Sequence, residues 1–474
     1  MSDPVIIQGG MGAGVSGWPL AKAVSMMGQL GVVSGTALDT IFVRRLQDGD
    51  FGGHLRRALA QFPVPEIAQK ILKKYFVPGG KRKDVPYQLL PLYTANPSLF
   101  LQALTVVSNF AEVFLAKEGH RGEVGINYLE KIQFPLLPSL YGAMLAGVAY
   151  VLIGAGIPRE IPGVLDQLVH HQEVSIRLHV ENAASEDDFR IRFDPKRILS
   201  QKLPELARPK FLAIIASATL ASALAKKSTG KVDGFVIEGP TSGGHNAPPR
   251  GPLQLNAKGE PIYGSKDEVD LEAVKALGLP FWLAGSYGNP EQLKRAREWG
   301  AAGVQVGTAF AYCRESGLSE EIKYKLLQKA RRGEGEVFTD PVASPAGFPF
   351  KVVKMEGSMS EPEVYAARPR VCDLGFLRHL YKKEDGSLGY RCPAEPIDTY
   401  VKKGGRIEET VGRKCLCNGL LATIGLPQRQ GNGYLEPPIV TSGDDLNKIA
   451  RFLKKGETSY SASDVIEQLL GYSS

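Results

Sequence analysis

The sequence predicts a closed parallel α/β barrel of eight βα units, a TIM barrel, on three observations. Short apolar runs rich in Val and Ile alternate with amphipathic helical patterns, the mark of parallel βα units. The runs are nearly continuous in apolar character, as strands buried on both faces must be. Counted along the chain there are eight of them, at residues 5–8, 31–34, 123–127, 150–154, 211–217, 234–238, 281–285 and 303–307. Eight units favour a closed barrel over an open doubly wound sheet.

A single core seldom grows past about 250–300 residues, so a chain of 474 residues needs more than a bare barrel. The barrel is expected to span 1–334, with insertions at about 39–120 and 172–205. The first insertion reads as mostly helical with Pro and Gly breaks. The second holds two alternating runs, 174–180 and 189–193, joined by the polar stretch 182–188, the pattern of a β-hairpin. Between the last two strands, Asn289 followed by Pro290 marks a helix start, with Leu293, Ala296 and Trp299 on one face. From about residue 335 the βα alternation stops. Residues 335–474 form a C-terminal extension with helical patterns at 444–454 and 462–470.

At 43% hydrophobic and 23% charged, the composition is that of an ordinary globular protein. The net charge of +7, from 57 basic and 50 acidic residues, is too slight an excess to imply a nucleic-acid partner, and no nucleic-acid motif is present. The basic run Lys81-Arg82-Lys83, beside Gly79-Gly80, reads as a solvated loop. The chain runs straight into its first strand without a basic leader, so no signal peptide is expected. The uncharged stretch 134–158 is broken by three prolines and four glycines, and divides into a buried helix and a buried strand better than it spans a membrane. A cytoplasmic location follows as the expectation. Five cysteines, an odd number, argue against a disulfide framework.

The residues suited to chemistry gather at strand ends. Ala284-Gly285-Ser286-Tyr287-Gly288 ends the seventh strand, and Gly307-Thr308-Ala309 ends the eighth. In TIM barrels the loops after these two strands form a recurrent phosphate site, where glycine lets backbone N–H groups approach the anion. After the sixth strand comes Glu238-Gly239-Pro240-Thr241-Ser242-Gly243-Gly244-His245-Asn246. There His245 is a candidate general acid or base, or a hydrogen-bond donor to a cofactor or substrate oxygen. Gln8-Gly9-Gly10-Met11-Gly12 closes the first strand; a Gln can pair with a heterocycle's polar edge and a Met can lie on its face.

Taken in order, these segments resemble the nitronate monooxygenase (2-nitropropane dioxygenase) family, which includes the flavin-dependent enoyl-acyl carrier protein reductases. The likeness rests on the QGGMG run, Gly31–Gly35, Val124–Asn127, Gly154–Pro158, the GGHN loop and Gly303–Phe310, over roughly residues 4–38 and 122–317. It implies FMN held by Ala284, Gly285, Ser286, Gly288, Gln305, Gly307 and Thr308. Gln8, Gly9, Gly10, Met11 and Asn127 would lie near the flavin ring, Gly243 and Gly244 would approach it, and His245 would face the substrate. Many nitronate monooxygenases carry a histidine in the loop after the fourth strand, as the base toward neutral nitroalkanes. This chain has Gly154-Ala155-Gly156 there, as the enoyl reductases do. Two reactions therefore compete: oxidation of a nitronate by O₂, or reduction of an enoyl thioester with NAD(P)H. A flavin-binding electron carrier or scaffold in a larger assembly is the alternative. A barrel using the strand-end site for a phosphorylated substrate, without flavin, is a third reading.

Cys372, Cys392, Cys415 and Cys417 fall within 46 residues of the extension, in contexts such as Lys414-Cys415-Leu416-Cys417. Four thiolates can hold Zn²⁺ or a [4Fe–4S] cluster, though this spacing matches no standard motif. The other reading is four small buried hydrophobes. Cys313, after the eighth strand, reads as core. The insertions are large enough to provide a homo-oligomer interface, but no residue specifies one.

Overall fold

The computed structural model describes residues 3–199, 201 and 203–472. Eight parallel strands form the barrel: β1 (Ile6–Gln8), β2 (Gly31–Ser34), β3 (Val124–Leu129), β4 (Tyr150–Gly154), β5 (Lys210–Ile215), β6 (Gly234–Glu238), β7 (Phe281–Ala284) and β8 (Gly303–Val306). Each strand pairs with its sequence neighbour, and β8 pairs with β1. The seam between β1 and β2 is closed by a parallel bridge from Ile7 to Leu30, with the Gln8 N–H donating to Leu30 O at 2.9 Å. All eight predicted strands are present, with no end shifted by more than two residues.

Alternation along the strands sorts two cores. Ile7, Val32, Leu152, Leu212, Val236 and Trp282 point inward and fill the barrel. Ile6, Val33, Val151, Ile153, Phe211, Phe235 and Phe281 belong to the larger core beneath the helices. Continuous apolar runs are needed because both faces are dry. At the amino-terminal end the barrel is plugged by Trp282, whose indole N–H donates to Pro4 O at 2.7 Å.

The region between β2 and β3 holds helices Leu38–Gln47, His54–Leu59, Pro65–Tyr75 and Leu99–Lys117. The last packs against helices Trp18–Met26 and Leu136–Leu145, so it belongs to the ring around the barrel rather than to an excursion from it. It is the one helix among the described residues long and apolar enough to cross a membrane, and 83% of that stretch is buried. The uncharged stretch 134–158 resolves into helix Leu136–Leu145 and strand β4. After β4, Val174–Arg177 and Arg190–Phe193 pair antiparallel as the hairpin pattern predicts.

The tail wraps the barrel. Val337–Asp340 pairs antiparallel with Phe350–Val353, and His379–Lys382 with Leu388–Arg391. The His379–Lys382 strand also pairs in parallel with Val180–Glu181, which ties the tail to the segment after β4. Helix Ala462–Leu470 packs on helices Trp18–Met26 and Pro290–Glu298. Within the tail, Arg368 donates from Nε and Nη2 to the Glu436 carboxylate at 2.6 and 2.9 Å, with both side chains buried.

The expectation of a metal at Cys372, Cys392, Cys415 and Cys417 is corrected: among the described residues no group of three or more His, Cys, Asp or Glu side chains is placed to hold a metal ion. The four do line one small cavity, among apolar neighbours that include Leu374, Leu377 and Leu416. Burial pushes the Cys415 thiol up to about 11 and raises the Cys417 thiol well above its ordinary value. Cys392 is held protonated by its hydrogen bond to Cys372, whose own pKa that bond lowers. Cys313 is fully buried, with its thiol on Phe310 O.

Candidate active site

At the carboxyl ends of the strands lies a cavity of about 1420 Å³, partly open to solvent. It continues into an adjoining cavity through shared walls at Ala155, Ile214, Glu238 and His245.

The strand ends build the walls. Gly9, Gly10 and Met11 follow β1, and Asn127 of β3 packs directly on Gly10, where a Cβ would clash with it. Gly154 and Ala155 follow β4. After β7 the chain turns through Gly285 (φ 100°) and Ser286 (φ 58°), both in the left-handed region, and exposes this turn to the cavity with Ala284 and Gly288. Gln305, Gly307 and Thr308 complete the wall after β8. Gly243, Gly244 and His245 line it from the loop after β6.

Gln8 does not reach the cavity. Its side chain is fully buried in the barrel seam, where Nε2 donates to Ser16 Oγ at 2.9 Å and Oε1 accepts from Val32 N–H at 3.0 Å. Its amide does the work of a ladder rung between β1 and β2, which leaves nothing to pair with a ligand.

The tail supplies a wall that sequence reasoning missed. Thr441, Ser442, Gly443 and Asp445 line the same cavity. They are stitched to the loop after β6: Gly244 N–H donates to Thr441 Oγ1 at 2.8 Å, and Asp444 N–H to Thr241 O at 3.1 Å. Gly443 N–H donates to Thr308 Oγ1 at 3.1 Å, and Lys351 N–H to Gly244 O at 2.9 Å. The buried Lys351 ammonium in turn pairs with Asp444 at 2.6 Å. The only local signal was the run Ser442-Gly443-Asp444-Asp445 ahead of a helical pattern, small and capping residues that fit any helix start.

Two of the titratable groups that line this space also line the adjoining cavity. Burial raises the Glu238 carboxyl to about 7 against a hydrogen bond with Ser242 that lowers it, so near neutrality it holds a proton part of the time. Burial lowers His245 to about 4, which keeps the imidazole neutral. His245 Nε2 is 2.7 Å from Ser344 Oγ, and its ring meets Phe350 edge to face at 4.9 Å between centroids.

The residues present suit FMN. Buried Gln305 Oε1 lacks any partner while lining the cavity, as a group kept for a polar ligand would. The glycine turns after β7 and β8 offer backbone N–H groups to a phosphate. Burial raises the pKa of the Asp445 carboxyl on the tail side.

A parallel barrel with one large glycine-walled cavity at the carboxyl ends of its strands belongs to the class of TIM barrels that bind a small molecule or cofactor at that face. Residues 191–343, which hold β5 to β8 and their loops, match the family model described as nitronate monooxygenase. This match covers the second half of the barrel and not the rest of the chain. It is 28% identical over 162 residues to the (3aS,4S,5R,7aS)-5-hydroxy-7a-methyl-1-oxo-octahydro-1H-indene-4-carboxyl-CoA dehydrogenase of Mycobacterium tuberculosis, covering 34% of this chain and 40% of that one. It is 28% identical over 183 residues to the nitronate monooxygenase of Paraburkholderia phytofirmans, covering 38% and 47%. The matches thus span less than half the length of either relative. The solved structure of FabK from Thermotoga maritima aligns over 99% of this chain and 92% of its own at 15% identity, with a TM-score of 0.47.

Proposed function

We propose that this chain is an FMN-dependent oxidoreductase that reduces the carbon–carbon double bond of an enoyl thioester, with NAD(P)H as the source of electrons. The observation that carries the reading is the pairing of Glu238 and His245 on the wall shared by the two cavities, beside a glycine-lined cradle. Bound FMN supplies hydride transfer through its N5. The chain's own part is to seat it and to handle the proton. The turns after β7 and β8 would hold its phosphate, Met11 and Asn127 line the walls after β1 and β3, and the tail strap Thr441–Gly443 forms another wall of the cavity. When hydride reaches the β-carbon of the substrate, Glu238 delivers a proton to the α-carbon, a task that suits a carboxyl with a pKa near 7. The Mycobacterium relative, named for a carboxyl-CoA substrate, agrees with a thioester ligand.

A second reading is nitronate oxidation, favoured by the name of the matched family. A nitronate is already deprotonated, so the absence of a histidine in the Gly154-Ala155-Gly156 loop does not exclude it. The test is an anaerobic absorption spectrum of FMN-loaded protein, recorded with NADH or NADPH and then with crotonyl-CoA. Flavin bands that bleach with nicotinamide and return with the thioester support the reductase. Bands that ignore nicotinamide but bleach with a nitronate replace it with the oxidase reading. Failure to bind flavin overturns both.

A further inference from the structure

We infer that Ser344, in the tail, is a positioning residue that holds His245 as the tautomer with its proton on Nδ1, so that the ring presents an N–H donor to the ligand cavity. The inference rests on the functional reading above for its consequence but not for its geometry.

The argument is one of hydrogen-bond accounting. Ser344 is fully buried. Its hydroxyl oxygen accepts from Ala346 N–H at 3.1 Å and lies 2.7 Å from His245 Nε2. A serine hydroxyl carries one hydrogen, and among the described residues the only acceptor within reach of it is Nε2. If Nε2 carried the proton instead, the hydroxyl hydrogen would be buried with nothing to accept it, which costs more than the bond returns. Satisfying every group therefore makes Ser344 the donor and Nε2 the acceptor.

A neutral imidazole with Nε2 occupied as acceptor has its single N–H on Nδ1. Nδ1 makes no hydrogen bond to the described residues and is not among the sealed buried atoms, while the ring lines both cavities. Phe348 and Phe350 flank the ring and offer no competing polar partner. The lowered pKa is consistent with a ring that stays neutral. The exposed N–H can then hold the thioester oxygen, on which charge builds as hydride arrives at the β-carbon. This hydrogen bond strengthens in the transition state and so acts on turnover more than on binding. Ser344 itself lines neither cavity and acts only through the ring.

The test begins with full-length protein labelled with ¹⁵N-histidine, the His245 signals being assigned by their loss in His245→Gln. The expected spectrum has a protonated Nδ1 and an unprotonated Nε2; the reverse assignment overturns the proposal. In Ser344→Ala the Nδ1–H signature should weaken in favour of Nε2–H, and in Ser344→Thr, which keeps the hydroxyl, it should persist. An unchanged tautomer in Ser344→Ala refutes the role of the serine even if activity falls. In the enoyl-thioester assay Ser344→Ala should lose about tenfold in kcat, the worth of one hydrogen bond, with KM and FMN affinity unchanged. Because the tautomer is read without turnover, an absence of reductase activity would count against the proposed function alone.

Discussion

Replacing Glu238 by Gln removes the one ionisable carboxyl that faces both cavities and leaves its shape. Burial raises that carboxyl from 4.5 to about 7 in the folded chain. The native state thus holds the proton more tightly than the unfolded state does. Its contribution to stability is complete below about pH 4.5 and is lost as the pH rises through about 7. At about 1.4 kcal/mol per pKa unit, the loss approaches about 3 kcal/mol by pH 8. Gln cannot ionise, so Glu238→Gln should gain on the native protein by that amount between pH 4.5 and 8. Asp39, raised to about 6 by burial, and His245 titrate in both proteins and drop out of the difference. Urea unfolding of the FMN-free protein at pH 5, 6, 7 and 8 measures it through the shift in midpoint. The same variant should lose about a hundredfold or more in kcat, and in the native enzyme kcat should fall above about pH 7 as the carboxyl empties. A stability difference that stays flat with pH would refute the reasoning, because it would mean that Glu238 is not held in a dry environment.

Gly243→Ala should abolish FMN binding in a fluorescence titration. A Cβ there would stand 2.8 Å from Gly443 N and Ser442 C, both backbone, so the strap could not seat on the loop. Arg368→Met should destabilise the tail by about 3–5 kcal/mol, since it strands the fully buried Glu436 carboxylate without its partner. Limited proteolysis should then cut the tail before the barrel; equal cutting of both would show that the tail has no stability of its own.

The eight strands, the hairpin after β4 and helix Ala462–Leu470 were legible because period and apolar continuity are local properties of the chain. So were the turns that line the cavity, since a glycine at a strand end constrains the backbone whatever surrounds it. Gln8 shows the limit. A buried Gln at the end of a strand can pair with a ligand or with its own barrel, and only closure between β1 and β2 makes it a rung. The cysteines show another, because spacing in sequence does not say whether the side chains will be brought around a metal ion. Glu238 was visible as a residue but not as an acid, for its pKa is a property of the dry space assembled around it. The tail wall is the largest gap. Thr441, Ser442, Gly443 and Ser344 lie about a hundred residues or more from the loop they support. The sequence by itself determined the barrel and which strand ends face the site. Only the tertiary structure decided how the site is closed, because hydrogen bonds between distant segments leave no period in the chain.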